Sequence, residues 1–412
     1  MSRPVPRVSV CVPSYNHGRF LAKSLDSILA QTFRDFEILI VDDGSTDDSF
    51  KIAESYAAQH PSIIQLFTHK NQHNRGVSAT VNEAFRHVRG EYWMGLPSDD
   101  LLQPNKLEQQ VKYLDKHTDV GWVYCPASVV DEHDRPRPGF GDFGFDINQT
   151  EEPMDTLIQG NVIPGMCCLM RTEVSQRVGL HEESLIYSDW HYWIRMLSQA
   201  KAGFINRKLV QYRVHGQNTS LGVDPVENAK RCLDVVNACI RDVSSGELKL
   251  PTVRTNALLH LQESYFQFCI HHKDEATDAL NRAFAIDPSL TDNYRFLVQW
   301  LRGRAAALTY LFDENARATE FLDWLMTKLP NHLTPTFRKR LEAERLAEIA
   351  VAKYADDPEA TRNLAFRSVL LDPRQVANKD LRAVMIRSVA GKRVMKELKK
   401  LKNAKSRTTG GK

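Results

Sequence analysis

The feature that most narrows the fold is an alternation along the first half of the chain. Short apolar runs rich in β-branched residues take turns with patterns of helical period. Residues 8–12 (Val-Ser-Val-Cys-Val) are followed by a helix-like stretch over 19–31, with Leu21, Leu25, Ile28 and Leu29 on one face. Residues 36–41 read as a second strand, and Ser45 or Thr46 is positioned to cap a helix running to about His60. A third strand (63–68), a helix (77–88) and a fourth strand (91–96) continue the rhythm. Such an order predicts an α/β fold: a doubly wound, mainly parallel, Rossmann-like sheet with helices on both faces. Further along, the pattern predicts a strand over 120–130, a helix opening at Asp189 and a late strand over 208–215.

Sheets of this kind gather ligands at the carboxyl ends of their strands, where loops converge. The first strand ends in Pro13-Ser14-Tyr15-Asn16, the second in Asp42-Asp43-Gly44-Ser45, the fourth in Ser98-Asp99-Asp100. Asp, Gly and Ser favour turns in their own right, so each cluster alone reads equally as a turn. Two acidic pairs at two strand ends of one sheet point to a site.

At 412 residues the chain exceeds what one hydrophobic core usually supports. From Asp224 onward helix follows helix, which divides the chain into an α/β domain (1–223), an all-α domain (224–380) and a basic end (381–412). The phrases Ala283-Phe-Ala-Ile-Asp-Pro288 and Ser368-Val-Leu-Leu-Asp-Pro373 resemble ends of tetratricopeptide helices. Their separation is far longer than one such repeat of ~34 residues, so a helical domain is expected and not a repeat array. Seven scattered cysteines without a C-x-x-C pair read as buried thiols in a reducing compartment. No export signal is recognised before the first strand, and no run approaches the ~20 apolar residues of a membrane span. The expected location is the cytoplasm or the cytosolic face of a membrane.

The net charge of +3 hides an asymmetry. Residues 381–412 carry eleven Lys or Arg against Glu397 alone. Val394, Leu398 and Leu401 share one helical face among Lys396, Lys399, Lys400 and Lys402. Residues 381–407 therefore read as an interfacial amphipathic helix drawn to anionic lipid, or as a solvated terminal helix. No aromatic residue interleaves the charges, so nucleic acid is not an expected partner.

Taken in order, Val8-Ser-Val-Cys-Val-Pro-Ser-Tyr-Asn16, Val41-Asp-Asp-Gly-Ser-Thr-Asp47, Asn74-Arg-Gly76 with Asn82, and Gly90-Glu-Tyr…Ser98-Asp-Asp100 resemble family 2 inverting glycosyltransferases of the GT-A fold. The resemblance covers residues 7–222. It implies transfer of a single sugar from a nucleotide-sugar, with UDP-sugar favoured, to a glycan, lipid-linked or protein acceptor in polysaccharide or cell-envelope synthesis. Pro13, Tyr15 and Asp43 match the base pocket, Asp43 accepting the imide N–H of uracil. Asp99 and Asp100 resemble the D-x-D element that holds Mn²⁺ or Mg²⁺, with Ser98 at its first position, Asp100 the better placed for direct ligation and Asp99 near ribose or sugar. Asp189 matches the catalytic base, although Ser188 stands where the family usually has Glu. Read by itself, Asp189 is more readily a helix N-cap. Arg213 and His215 match the segment that closes on the donor, Arg213 against phosphate and His215 against diphosphate or metal, and His215 reads equally as a surface histidine. No Gln-x-x-Arg-Trp element follows Asp189, which argues against a processive synthase.

Two other readings compete. A sugar nucleotidyltransferase wants a basic Gly-rich loop after the first strand, where this chain has Tyr15-Asn-His-Gly18. A non-catalytic scaffold would use the helical domain to bind a partner.

Overall fold

The computed structural model describes residues 5–70, 73–137, 144, 146–219, 222–291 and 358–373, with scattered positions between 320 and 385. The chain forms two compact units, the first running through Ile286. In the first, β1 (Val8–Ser14), α1 (Gly18–Leu29), β2 (Phe36–Asp42), α2 (Ser49–Gln59), β3 (Ile64–Thr68), α3 (Val77–Arg86) and β4 (Tyr92–Gly95) follow the expected alternation. There follow β5 (Leu101–Leu102), α4 (Lys106–Lys116), β6 (Val120–Tyr124), β7 (Ala127–Asp131), α5 (Pro153–Gln159), β8 (Leu169–Arg171) and α6 (Thr172–Val178). Then come α7 (Ser188–Gln199), β9 (Lys201–Phe204), β10 (Val210–Val214), α8 (Pro225–Ser245), α9 (Val253–Cys269) and α10 (Lys273–Ile286).

The seven-stranded sheet has the order β3-β2-β1-β4-β8-β6-β9. β1 pairs in parallel with both β2 and β4, and β2 with β3, while β8 runs antiparallel to β4 and β6. This is the doubly wound, mainly parallel α/β sheet of GT-A type. Every residue of β1 and β2 is buried, as central strands covered on both faces must be. Leu21, Leu25 and Ile28 of α1 pack into that core beside Val10, Val12 and Ile40. Gly90, just before β4, admits no side chain, because a Cβ there would lie 2.7 Å from the backbone N of Ser9.

Two expectations are corrected. The strand read over 120–130 is two strands: β6 belongs to the large sheet, and β7 joins a small sheet of order β5-β10-β7. Pro126 sits at the break, where the chain leaves one ladder and no N–H is available to continue it. Neither Ser45 nor Thr46 caps α2. The Ser45 N–H donates to Asp42 Oδ1 (2.9 Å) and its hydroxyl accepts from the Asn16 N–H (3.0 Å). The loop after β2 is thus spent on holding the loop after β1.

The run of helices starts where expected, with Asp224 Oδ1 accepting from the N–H groups of Val226 (2.9 Å) and Glu227 (3.2 Å). Through α10 these helices belong to the same compact unit as the sheet. Asp242 of α8 meets His191 of α7 at 2.8 Å, and Thr255 of α9 donates to Asp155 of α5 at 2.7 Å. In the second unit, Ala347, Ala365 and Leu381 form a small buried cluster around the helix Pro358–Leu371. All seven cysteines are buried free thiols. Among the described residues no helix is long and apolar enough to cross a membrane. The basic segment 381–407 lies outside the described residues except at Leu381 and Met385.

Candidate active site

The loop after β1 is built by cross-bracing. Asn16 takes a left-handed backbone (φ 52°), which asparagine tolerates better than most residues. Its side-chain carbonyl accepts from the Thr46 N–H at 2.8 Å. The N–H of His17 donates to Ser49 Oγ (2.9 Å) and that of Gly18 to Asp47 Oδ2 (2.9 Å). These bonds fix the path of residues 15–18 against the β2–α2 loop. Pro13 is buried within β1, while Tyr15 turns outward with 41 % of its surface exposed.

Asp43 is buried, and its two oxygens accept from the backbone N–H groups of Arg75 (2.7 Å) and Gly76 (2.9 Å). Burial pushes its pKa up even though these donors, with His69 3.4 Å away, favour the charged form. Asp43 therefore fastens the Asn74–Gly76 segment, where Gly76 supplies a left-handed backbone (φ 86°).

The two aspartates after β4 face different surroundings. Asp100 is fully enclosed, its Oδ1 accepting from the Arg213 N–H of β10 at 2.8 Å. Burial first, and the neighbouring Asp99 charge second, push its pKa up. Asp99 instead stands between two imidazoles. Its Oδ2 lies 3.0 Å from His215 Nε2, and its Oδ1 lies 3.8 Å from His17 Nδ1. That Oδ1 is buried and meets no hydrogen-bond donor. Ser98 Oγ sits 2.8 Å from His17 Nδ1. Burial pushes the His17 pKa down, which favours the neutral imidazole. Among the described residues, His17, Asp99 and His215 are the group of His, Cys, Asp and Glu side chains close enough to share a cation, with ligand atoms within 4.8 Å of one another. The expectation placed Asp100 first as the ligating carboxylate; in the structure Asp99 is the one that faces the histidines.

Arg213 also departs from expectation. Its guanidinium is buried, donating to the Asp99 carbonyl and to Asp134, and stacking over Phe20 at 4.7 Å. With these partners it braces the Asp99 loop from behind and is not presented to a phosphate. The same Phe20 supports the His215 ring, with centroids 4.7 Å apart. His215 is further held by its own N–H donating to Asn218 Oδ1 (2.6 Å). Beside it opens a cleft of about 410 Å³ lined by Asn16, Arg19, Phe20, Asp47 and His215.

Asp189 lies in the first turn of α7, half-buried, with Tyr187 at the cap position. Its Oδ1 accepts from the Trp190 N–H at 2.8 Å. Burial pushes its pKa up, against the opposing pull of a hydrogen bond from Asn161. Trp190 and Trp193 are core residues, donating to the carbonyls of Leu157 (2.5 Å) and Ile163 (2.9 Å). Ser188, which stands where the family usually has Glu, accepts from the Ser78 hydroxyl at 2.7 Å in a buried pair.

Sequence reasoning missed His17, Asn161 and Asn218. His17 carried a usable signal, since it directly follows the Asn that ends the β1 loop. Asn161 and Asn218 lie in irregular segments with no pattern to mark them.

Comparison with known proteins gives the family. Residues 9–179 match the model of glycosyl transferase family 2. An uncharacterized glycosyltransferase of Rickettsia typhi is 30% identical over 233 residues, covering 54% of this chain and 69% of that protein. The putative glycosyltransferase EpsE of Bacillus subtilis is 39% identical over 127 residues, 31% of this chain and 45% of that one. Among solved structures, the mannosyltransferase PcManGT from Pyrobaculum calidifontis, in complex with GDP-Man and Mn²⁺, is 20% identical with a TM-score of 0.49, covering 77% of this chain and 87% of that one. The order of the strands, the loops they carry and the matched residues place this chain in glycosyl transferase family 2.

Proposed function

We propose that the chain transfers one sugar from a nucleoside-diphosphate sugar, a UDP-sugar foremost, to a hydroxyl of a glycan, lipid-linked or protein acceptor, inverting the anomeric centre. The observation that carries the reading is the state of Asp99. A buried carboxylate oxygen without a donor, set between the imidazoles that follow β1 and β10, is costly unless a cation completes it.

The donor set fits a divalent ion of the Mn²⁺ kind. Asp99 and His215 would hold it, and when bound it supplies Lewis-acid stabilisation of the departing diphosphate. The remaining work belongs to the chain's own groups. Tyr15 and Pro13 flank the base. Asp43, with one backbone donor on each oxygen, retains lone pairs to accept an imide N–H. Asp189 takes the proton of the acceptor hydroxyl at its carboxylate as the oxygen attacks the anomeric carbon. Its raised pKa makes it a stronger base than an exposed aspartate. Asn161 orients that carboxylate. Asp100 and Arg213 hold the Asp99 loop rigid. Addition of one sugar per encounter, and a cytosolic location that includes the membrane face, belong to the same reading.

Calorimetry of the full chain with UDP and Mn²⁺ tests the donor half. Saturable UDP binding that requires Mn²⁺ and is lost in Asp99→Asn is expected. Absence of binding by UDP, GDP and their sugars would return the chain to the scaffold reading.

A further inference from the structure

We propose that His17 is a third protein ligand to the divalent cation, making a site of two imidazoles and one carboxylate that selects Mn²⁺ over Mg²⁺. The inference rests on the reading that Asp99 and His215 hold the metal, and it adds a residue from a different strand end.

His17 is placed for this by the same bracing that shapes its loop. Its backbone N–H is pinned to Ser49 Oγ at 2.9 Å, and the residue before it is locked in a left-handed conformation. Its ring stands perpendicular to that of His215 (88°, centroids 5.7 Å apart), so the two imidazoles bracket Asp99 and do not stack on each other. Its Nδ1 approaches the oxygen of Asp99 that no donor satisfies, at 3.8 Å. That distance is too long for a hydrogen bond.

The spacing suits an ion. Two ligands each ~2.1 Å from one centre lie at most ~4.2 Å apart. The ligand atoms here fall within 4.8 Å of one another, so small side-chain rotations close the set. Ser98 Oγ lies 2.8 Å from that same His17 Nδ1, so an ion ligated there takes the place of this hydrogen bond. Three segments then converge on one centre: the loop after β1, the loop after β4 and the segment after β10.

The chemistry of the set predicts its preference. Mg²⁺ favours oxygen ligands and keeps its waters, whereas imidazole nitrogen suits softer divalent ions. One histidine leaves room for either ion; a second tilts the site away from Mg²⁺.

Mn²⁺ binding to the full chain, followed by electron paramagnetic resonance with UDP present, tests the assignment. Spin-echo modulation should reveal two imidazole nitrogens in the wild-type complex and one in His17→Ala and in His17→Gln. Mn²⁺ affinity should fall ~10–100-fold in both variants, the range for residues that support a metal. Mg²⁺ affinity, measured by competition, should change by less than about 3-fold, since oxygen ligands dominate its binding. Unchanged thermal melting in His17→Gln separates ligand loss from misfolding. Two imidazole nitrogens and wild-type affinity in both His17 variants, with weakened binding in Asp99→Asn and His215→Ala, would overturn the role of His17 alone. Absence of Mn²⁺ binding in the wild-type chain would overturn both this inference and the metal reading beneath it.

Discussion

Asp100 and Arg213 lock the small sheet to the loop after β4: the Arg213 N–H donates to Asp100 Oδ1 at 2.8 Å, and its guanidinium grips the Asp99 carbonyl. Both residues are buried, so neither interaction is diluted by solvent. Arg213→Ala removes the cation opposite Asp134 and the cover over Phe20, and leaves the Asp99 carbonyl without its donor. Breaking one side of a buried charged network costs ~3–5 kcal/mol. Urea denaturation should show a loss of that order. Arg213→Lys should recover little of it, because one ammonium cannot reproduce the planar fork.

Asp189 should set the acid limb of the pH–rate profile. A base must be ionised to act, and burial holds this carboxyl above the usual aspartate range. Activity should therefore rise with pH through that raised value. Asn161 favours the ionised form, so Asn161→Ala should move the acid limb to higher pH and lower kcat with little change in KM for the donor. An acid limb that stays in place in Asn161→Ala would remove Asn161 from the account.

His191 and Asp242 join α7, which carries Asp189, to α8 at 2.8 Å. Burial pushes the Asp242 carboxyl up, but the hydrogen bond from His191 and the nearby arginines outweigh it and hold the pKa below the ordinary value. The sign follows from that direction. A carboxyl depressed in the folded state adds stability above its unfolded pKa of ~3.9, and this is lost as pH falls through the folded value. Asp242→Asn should be less stable than wild type at neutral pH, by ~1–3 kcal/mol for a buried charged hydrogen bond. The gap should close in acid, which a series of urea melts across pH would record.

Gly90→Ala should be severely destabilising. The added Cβ would meet the Ser9 nitrogen and the Tyr92 carbonyl oxygen, both at 2.7 Å and both backbone atoms of the central sheet. A backbone shift there costs at least ~1–3 kcal/mol, and low soluble yield or a lowered Tm is the expected outcome.

The parallel sheet was legible because its strands are buried on both faces and so appear as mainly apolar runs: residues 8–12 and 36–41 are interrupted only by Ser9 and Glu37, which hydrogen-bond to each other at 2.7 Å. The split at Pro126 was harder to read. An apolar run continues across it, and the change of sheet is set by pairing with distant β8 and β10. The sequence pattern put Asp43 and Asp99 at strand ends and Asp189 at the start of a helix, where the structure has them. Which carboxylate of the pair 99–100 faces the histidines could not be read from it, since Asp100 is taken by Arg213, more than a hundred residues away. The same distance hid the burial of the Arg213 side chain, which in sequence looks like any cation beside a phosphate site. His17 was visible but gained meaning only when His215 was brought to the far side of Asp99.

Nucleotide release from a panel of UDP- and GDP-sugars, using the full chain with Mn²⁺, in wild type and Asp189→Asn, tests whether the chain is a sugar transferase with Asp189 as its base. Wild type should release the nucleoside diphosphate from at least one donor, fastest from a UDP-sugar. Asp189→Asn, which keeps the shape but cannot take a proton, should be slower by ~10²–10⁴-fold. Equal rates in the two proteins, or no release from any donor by a wild-type chain that binds Mn²⁺ and UDP, would contradict the account.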